Sequence, residues 1–294
     1  MIKPEVKLIA IVGPTASGKT ELALRLAEKY NGEVVCADSR TIYRDMNIGT
    51  AKPNAEEVAR VPHHLIDVIS PLETLSAGEF KRLADAAIND IWHRGRVPFL
   101  VGGSGLYVDS VIYEYSFPAV PNLDYRSKLE AMTDEELRSL LAERDPELYQ
   151  SVDLKNRRRL IRAIEVSGQP RSKRSEVRPN TLVLAPNIDK ESIKKRIILR
   201  VSKMVDNGFR EEVRTLGQKY GLDCPGFEVS GYRAFKDVVF GDKPLEKGMA
   251  EFVKADTLLL KKQLTWFKRN QNINWVDEKD ADRLVEDFLR SKGE

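Results

Sequence analysis

The chain has 294 residues, 41% of them hydrophobic and 32% charged, with a formal net charge of +3. That is globular composition with apolar material enough for a packed core, which excludes a disordered, collagen-like or low-complexity chain. No uncharged apolar run approaches the length of a membrane span, and residues 1–7 are too short and charged for a signal peptide, so a cytoplasmic protein without a membrane partner is expected.

Residues 7–12 (Lys-Leu-Ile-Ala-Ile-Val) form a short apolar run stopped by Gly13-Pro14, the pattern of a buried parallel strand. Leucines among charged residues predict a helix over 19–30. Residues 33–38 read as a second strand and 64–68 as a third. Ser76 and Glu79 have capping-box spacing, which predicts a helix over 76–94. Residues 97–101 form a further strand ending in Gly102-Gly103. Strands alternating with helices predict an α/β fold with a parallel sheet.

The pattern changes after the proline-rich joint at residues 117–121. Residues 122–150 are polar and helix-like, with a second capping box at Thr133 and Glu136. Helical character continues over 156–166 and ends at Gly168. Residues 181–185 restore a strand, and the chain from 190 on reads as mostly helical. The expected organisation is a core of residues 1–117 and 179–294 with an all-helical insert at 118–178, and Pro118 and Pro121 could frame a hinge. Nothing in the sequence suggests an obligate dimer, so a monomer is expected.

Charge is unevenly spread. Between Lys155 and Arg178 nine basic residues (Lys155, Arg157, Arg158, Arg159, Arg162, Arg171, Lys173, Arg174, Arg178) face two acids, Glu165 and Glu176. Residues 261–269 interleave four cations with Trp266 and Phe267, which predicts an amphipathic helix with both aromatics half-buried. Such patches suit a polyanion, and equally suit solvated helix faces. Two cysteines, Cys36 and Cys224, exclude a disulfide framework, and His63, His64 and His93 have no metal-like spacing. Cys36, His63 and His64 are read as structural.

The strongest motif is Gly13-Pro14-Thr15-Ala16-Ser17-Gly18-Lys19-Thr20, which matches G-x-x-x-x-G-K-[S/T] between a strand and a helix. Its glycines let backbone N–H groups turn around a phosphate chain, at a helix N-terminus that favours anions. Lys19 neutralises phosphate oxygens, and the Thr20 hydroxyl suits Mg²⁺. The fold expected is thus a P-loop NTPase-like parallel sheet flanked by helices. Hydrolytic P-loop enzymes usually add a strand ending in a metal-binding acid. The strand at 97–101 ends in Gly102-Gly103-Ser104-Gly105 instead, which favours transfer to a bound acceptor. Asp38, at the end of the second strand, should open on the same crevice as the P-loop. It suits Mg²⁺ binding, general-base work or a local cap. Asp67 is read as a cap.

The P-loop is followed in order by Asp38-Ser-Arg-Thr-Ile-Tyr43-Arg-Asp-Met46-Asn-Ile48-Gly-Thr-Ala-Lys-Pro53, His63-His64-Leu-Ile-Asp67-Val, Gly102-Gly-Ser-Gly-Leu-Tyr107, Arg158-Arg-Leu-Ile-Arg162-Ala-Ile-Glu165-Val and Gly231-Tyr-Arg233. This series resembles the tRNA dimethylallyltransferase (tRNA isopentenylpyrophosphate transferase) family over nearly the whole chain. The resemblance implies transfer of a dimethylallyl group from dimethylallyl diphosphate to N6 of the adenosine 3′ of the anticodon. It implies that the P-loop (residues 13–20) holds a diphosphate rather than ATP, and that the helical insert grips the anticodon stem-loop. Asp38 matches the general base. Asp38, Ser39, Arg40, Thr41, Ser104, Arg126, Arg158, Arg159, Leu160, Ile161 and Arg162 match tRNA-contacting positions. Arg196 and Arg200, four apart, share a helix face and either close over the diphosphate or form a surface stripe. The target adenine must leave its stack to react, and Tyr43, Tyr107 and Trp266 are stacking or core aromatics. The chain lacks the zinc finger of eukaryotic relatives, which implies a bacterial type. The rival readings are an adenylate isopentenyltransferase acting on free nucleotides and a small-molecule P-loop kinase.

Overall fold

A computed structural model describes residues 1–117, 123–169, 176–187 and 189–291. The expected hinge prolines Pro118 and Pro121 and the basic residues Arg171, Lys173 and Arg174 lie outside the described residues. The chain divides into two compact units, Met1–Glu114 with Ser175–Glu294, and Tyr115–Arg174.

The larger unit is built on six parallel strands: β1 (Leu8–Val12), β2 (Gly32–Cys36), β3 (His63–His64), β4 (Val97–Gly102), β5 (Thr181–Pro186) and β6 (Asn274–Val276). Their order is β3-β2-β4-β1-β5-β6. β1 is central, with Ile9 opposite Phe99 on one side and Leu182 on the other. All five of its residues are buried, which is why the sequence shows an unbroken apolar run rather than an alternating one. Helices α1 (Lys19–Lys29), α2 (Ala55–Arg60), α3 (Ala77–His93) and α4 (Gly105–Ile112) belong to the first half of this unit. On one sheet face α3 and α4 pack through Phe80, Ala84, Ile88, Val108 and Val111. The other face carries α1 through Leu22, Leu24 and Leu26, with Ala281 and Val285 of a C-terminal helix.

The smaller unit contains α5 (Leu123–Ala131), α6 (Asp134–Arg144), α7 (Pro146–Ser151) and α8 (Arg157–Glu165). The predicted capping box closes the start of α6, Thr133 accepting from the Glu136 N–H while Glu136 accepts from Thr133. The unit has its own core of Leu129, Leu137, Leu141, Leu160, Ile161 and Ile164.

The chain then returns through α9 (Lys190–Asp206), α10 (Phe209–Tyr220), a 3₁₀ turn (Pro225–Glu228), α11 (Ser230–Phe240), α12 (Leu245–Phe267) and α13 (Glu278–Arg290). A cluster of Phe209, Tyr232, Phe235 and Phe252 joins α10, α11 and α12.

Three local expectations need correction. The strand predicted over 64–68 stops at His64, because Leu65 and Asp67 take positive φ values of 61° and 56°. The strand β6 sits in a segment read as helical, and it is recruited by pairing with β5 rather than by its own sequence. Phe267 is fully buried, not half-buried, while Trp266 stays partly exposed.

Candidate active site

Parallel strands deliver their carboxyl ends to one edge of a sheet, and here three of those ends carry the chemistry. β1 runs into the P-loop, β2 into Asp38 and β4 into Gly102-Gly103-Ser104. Because β4 lies between β1 and β2, its glycines separate the P-loop from Asp38. They must be small. A Cβ on Gly102 would lie 2.0 Å from the Ala37 carbonyl oxygen, and one on Gly103 would lie 2.6 Å from the Gln263 side chain. Above them opens a cavity of about 450 Å³, lined among others by Thr15, Ser17, Lys19, Thr20, Asp38 and Arg200.

The P-loop turns through positive φ at Gly13 (153°), Ala16 (61°) and Gly18 (89°). Gly18 thereby delivers the chain to the first turn of α1, where Leu22 N–H donates to the Gly18 carbonyl at 3.1 Å. Lys19 Nζ donates to the Pro14 carbonyl at 3.2 Å. Burial lowers the Lys19 ammonium to about 8; Asp38 opposes this, and the cations Arg200 and Arg40 add to it. Thr20 is exposed at the cavity. Ser17 Oγ is buried without a hydrogen-bond partner among the described residues.

Gly13 and Pro14, at the start of the loop, are buried and do not line the cavity. Thr15 lines the cavity, but its N–H already donates to Gln263 Oε1 at 2.8 Å. Gln263 Nε2 donates in turn to the Gly103 carbonyl at 2.8 Å. One amide of α12 thus ties the P-loop to the end of β4. A count of charges in residues 261–269 passes over this uncharged side chain.

Asp38 stands two residues beyond β2, its Oδ1 accepting from the Arg40 N–H at 2.9 Å. Ser104 Oγ accepts from the Ser39 N–H at 2.9 Å and donates to Ser39 Oγ at 3.1 Å, which ties the β2 and β4 ends together. Thr41 is turned inward and buried, its hydroxyl directed at the Asp38 carbonyl. Residues 46–53 have no regular structure and are held from outside. Glu212 of α10 accepts the N–H groups of Asn47, Ile48 and Gly49 at 2.8 to 3.0 Å, and the Tyr232 hydroxyl at 2.6 Å. Gly49 admits no Cβ, which would meet the Phe209 ring at 2.2 Å. Lys52 Nζ donates to the Tyr43 carbonyl at 2.7 Å and to Asp67 at 2.6 Å, so Asp67 is an ion-pair partner and not a cap.

From the far side comes α9. An Arg196 guanidinium nitrogen lies 3.7 Å from the Cβ position of Gly18, and Arg200 lines the cavity. Arg40 and Arg200 both pair with Asp256 of α12, the Arg40 contact at 3.0 Å. Asp256 is fully buried. Its sequence signal is faint: it falls between Phe252 and Leu260 at the helical spacing of a buried stripe.

Among the aromatics, Tyr107 stacks on Phe80 at 4.0 Å between centroids and its hydroxyl donates to Leu75. Tyr43 is buried. Trp266 covers Gly105 and donates to Asp109 at 2.9 Å. Tyr107 and Trp266 are thus each fixed by a hydrogen bond, and Tyr43 and Tyr107 both line a second cavity. Cys36 is buried and its thiol is pushed up to about 12, so it is inert. His63 bonds the Val61 carbonyl and His64 pairs with Glu33, both structural contacts. No group of three or more His, Cys, Asp or Glu that could cage a metal occurs among the described residues, and no helix there is long and apolar enough to cross a membrane.

The smaller unit holds the basic residues of α8. Arg158 and Arg159 are exposed. Arg126 and Arg162 both bind Glu165, each at 3.2 Å, and that carboxylate is buried. Leu160 and Ile161, expected at a tRNA surface, are instead core residues whose side chains face inward. Arg157 is committed to Asp134 and the Glu130 and Met132 carbonyls. Arg178, counted with the basic run, is buried in the larger unit and donates to the Lys3 and Val6 carbonyls at 3.0 and 3.1 Å.

A strand–loop–helix anion cradle facing a carboxylate across one cavity defines a P-loop-type α/β protein. The sequence pattern of the IPP transferase family matches residues 41–270, and the chain belongs to that family of transferases. A tRNA dimethylallyltransferase of Halalkalibacterium halodurans is 38% identical over 290 residues, covering 94% of this chain and 92% of that protein. One from Staphylococcus aureus is 36% identical, covering 95% of each. The crystal structure of a full-length tRNA isopentenylpyrophosphate transferase from Bacillus halodurans aligns over 96% of this chain and 97% of its own, with a TM-score of 0.73 and 36% identity. A eukaryotic dimethylallyltransferase acting on tRNA has a TM-score of 0.85 at 23% identity, covering 97% of this chain and 79% of its own, and shares the fold.

Proposed function

We propose that the protein transfers a dimethylallyl group from dimethylallyl diphosphate to N6 of the adenosine 3′-adjacent to the anticodon of tRNA, acting as a cytoplasmic monomer. The observation that carries this reading is the placement of Lys19 and Asp38 on one cavity of about 450 Å³. In the reaction the allylic C–O bond breaks and the N6–carbon bond forms. Negative charge gathers on the departing diphosphate, and the amine must lose a proton. Lys19, the N-terminus of α1 and the guanidinium groups of Arg196 and Arg200 suit the first demand. Asp38 suits the second, as the base toward an adenine turned out of the anticodon loop.

Mg²⁺ fits this donor set. The exposed Thr20 hydroxyl and the Asp38 carboxylate line the same cavity, and Mg²⁺ keeps waters and phosphate oxygens rather than needing an all-protein cage. Thr20 would hold the ion, with Asp38 beside it, and the ion would supply charge neutralisation on the diphosphate. The smaller unit, with Arg158 and Arg159 exposed and Arg126 and Arg162 fixed on Glu165, is the surface proposed for the anticodon stem-loop.

The test is a transfer assay with labelled dimethylallyl diphosphate and Mg²⁺, offering unmodified tRNA and AMP in parallel. Label enters tRNA and not AMP, and Asp38→Ala lowers the rate by roughly 10²–10⁴-fold while leaving the fold intact. Label in AMP would instead mark a free-nucleotide enzyme. Phosphoryl transfer from ATP, with no label moved, would mark a kinase.

A further inference from the structure

We propose that Asp256 is a positioning residue that couples the two halves of the cavity, holding Arg40 on the acceptor side and Arg200 on the diphosphate side with one carboxylate. This rests on the transfer reaction proposed above. Asp256 projects from the middle of α12 and has no exposed surface. Its Oδ1 accepts from Arg40 and from the Ser230 hydroxyl, both at 3.0 Å, and its Oδ2 accepts from Arg200. The carboxylate is therefore reached from three other elements: the loop after β2, α9 and the first residue of α11.

The charge arithmetic gives the cluster a direction. Two guanidinium groups on one carboxylate leave one positive charge uncompensated at the cavity wall, where the carboxylate is fully buried and the two guanidinium groups are partly so. Both cations face the same cavity as Lys19, and Arg40 also lines a second cavity of about 460 Å³ beside Ser39 and Tyr43. Arg200 Nε is buried with no hydrogen-bond partner among the described residues, a donor left over after the contact to Asp256. Without Asp256 the two partly buried cations would repel each other and turn toward solvent, because a buried charge that loses its partner is strongly unfavourable. The carboxylate thus fixes how far apart an anion-binding guanidinium and an acceptor-side guanidinium sit, without touching either substrate.

The test measures inorganic pyrophosphate binding by calorimetry and KM and kcat for both substrates, on the full chain with Asp256→Asn, Ser230→Ala, Arg40→Gln and Arg200→Gln. Asp256→Asn weakens pyrophosphate binding about tenfold, the scale of a lost charge-assisted hydrogen bond. It also raises KM for dimethylallyl diphosphate and for tRNA together, with kcat moved less. Arg200→Gln raises only the first KM and Arg40→Gln only the second. Should Asp256→Asn not fold, Ser230→Ala keeps all charges and shows the same two-sided rise at smaller size. Unchanged binding and unchanged KM values beside a lowered Tm would reduce Asp256 to a packing role and overturn the proposal, as would movement of one KM alone. A wild type that binds pyrophosphate but transfers nothing would sink the transfer reading; the pyrophosphate comparison would still decide Asp256.

Discussion

Lys19 sets the pH response of the site. In the free protein its ammonium is lowered to about 8 by burial and by neighbouring cations. Lys19 is cationic below that value, so anion binding is intact there and is lost as pH rises through it. We expect kcat/KM for the diphosphate substrate to fall above about pH 8, since that ratio reports groups of the free enzyme. A bound diphosphate restores the ammonium, so kcat alone should hold to higher pH. Lys19→Arg keeps its charge throughout and should erase the alkaline limb. A limb that persists in Lys19→Arg would assign it to another group. Of the side chains that surround this lysine, the motif names Thr20 and the family run names Asp38. Asp256 and Gln263 carry no such local signature: each is one polar residue in a helix whose partners lie on other elements, from 26 to 248 residues away.

At the scale of elements, the run from Asp38 to Pro53 is an irregular segment whose conformation is imposed by its neighbours. Its three amides at Asn47, Ile48 and Gly49 all end on Glu212, and Glu212 is itself fixed by the Tyr232 hydroxyl. Glu212→Ala should leave those N–H groups unpaired, at roughly 1–3 kcal/mol for each that stays buried. Hydrogen exchange at the three amides should accelerate, while exchange along β1 stays slow. Equal acceleration in β1 would mean the whole unit had loosened. The regular elements depend far less on their neighbours. β1, α1, α3 and β4 each have a local signature, namely an apolar run, a leucine stripe or a capping box. β6 has none, and nothing in Leu65 or Asp67 announces the positive φ that ends β3 at His64.

For the whole molecule, the division into two units has an energetic counterpart. Leu160 belongs to a core made of smaller-unit residues alone. Leu160→Ala should cost that unit about 2–5 kcal/mol and weaken tRNA binding, with pyrophosphate binding kept at the wild-type level. A parallel loss of pyrophosphate binding would show that the two units do not fold separately.

The sequence by itself determined the parallel α/β core, the P-loop, the carboxylate after β2 and the presence of a basic helical insert, because each is written within a few consecutive residues. Tertiary structure alone decided which basic residues stay free to act. Arg178 went into the core and Arg157 to Asp134 and two carbonyl groups, and on α8 the side chains of Leu160 and Ile161 took the buried face while Arg158 and Arg159 stayed exposed. It also decided that Arg40 and Arg200 meet on Asp256. Charge counts along a chain register that cations are present; only packing fixes which face is buried, and burial determines whether a cation has a partner.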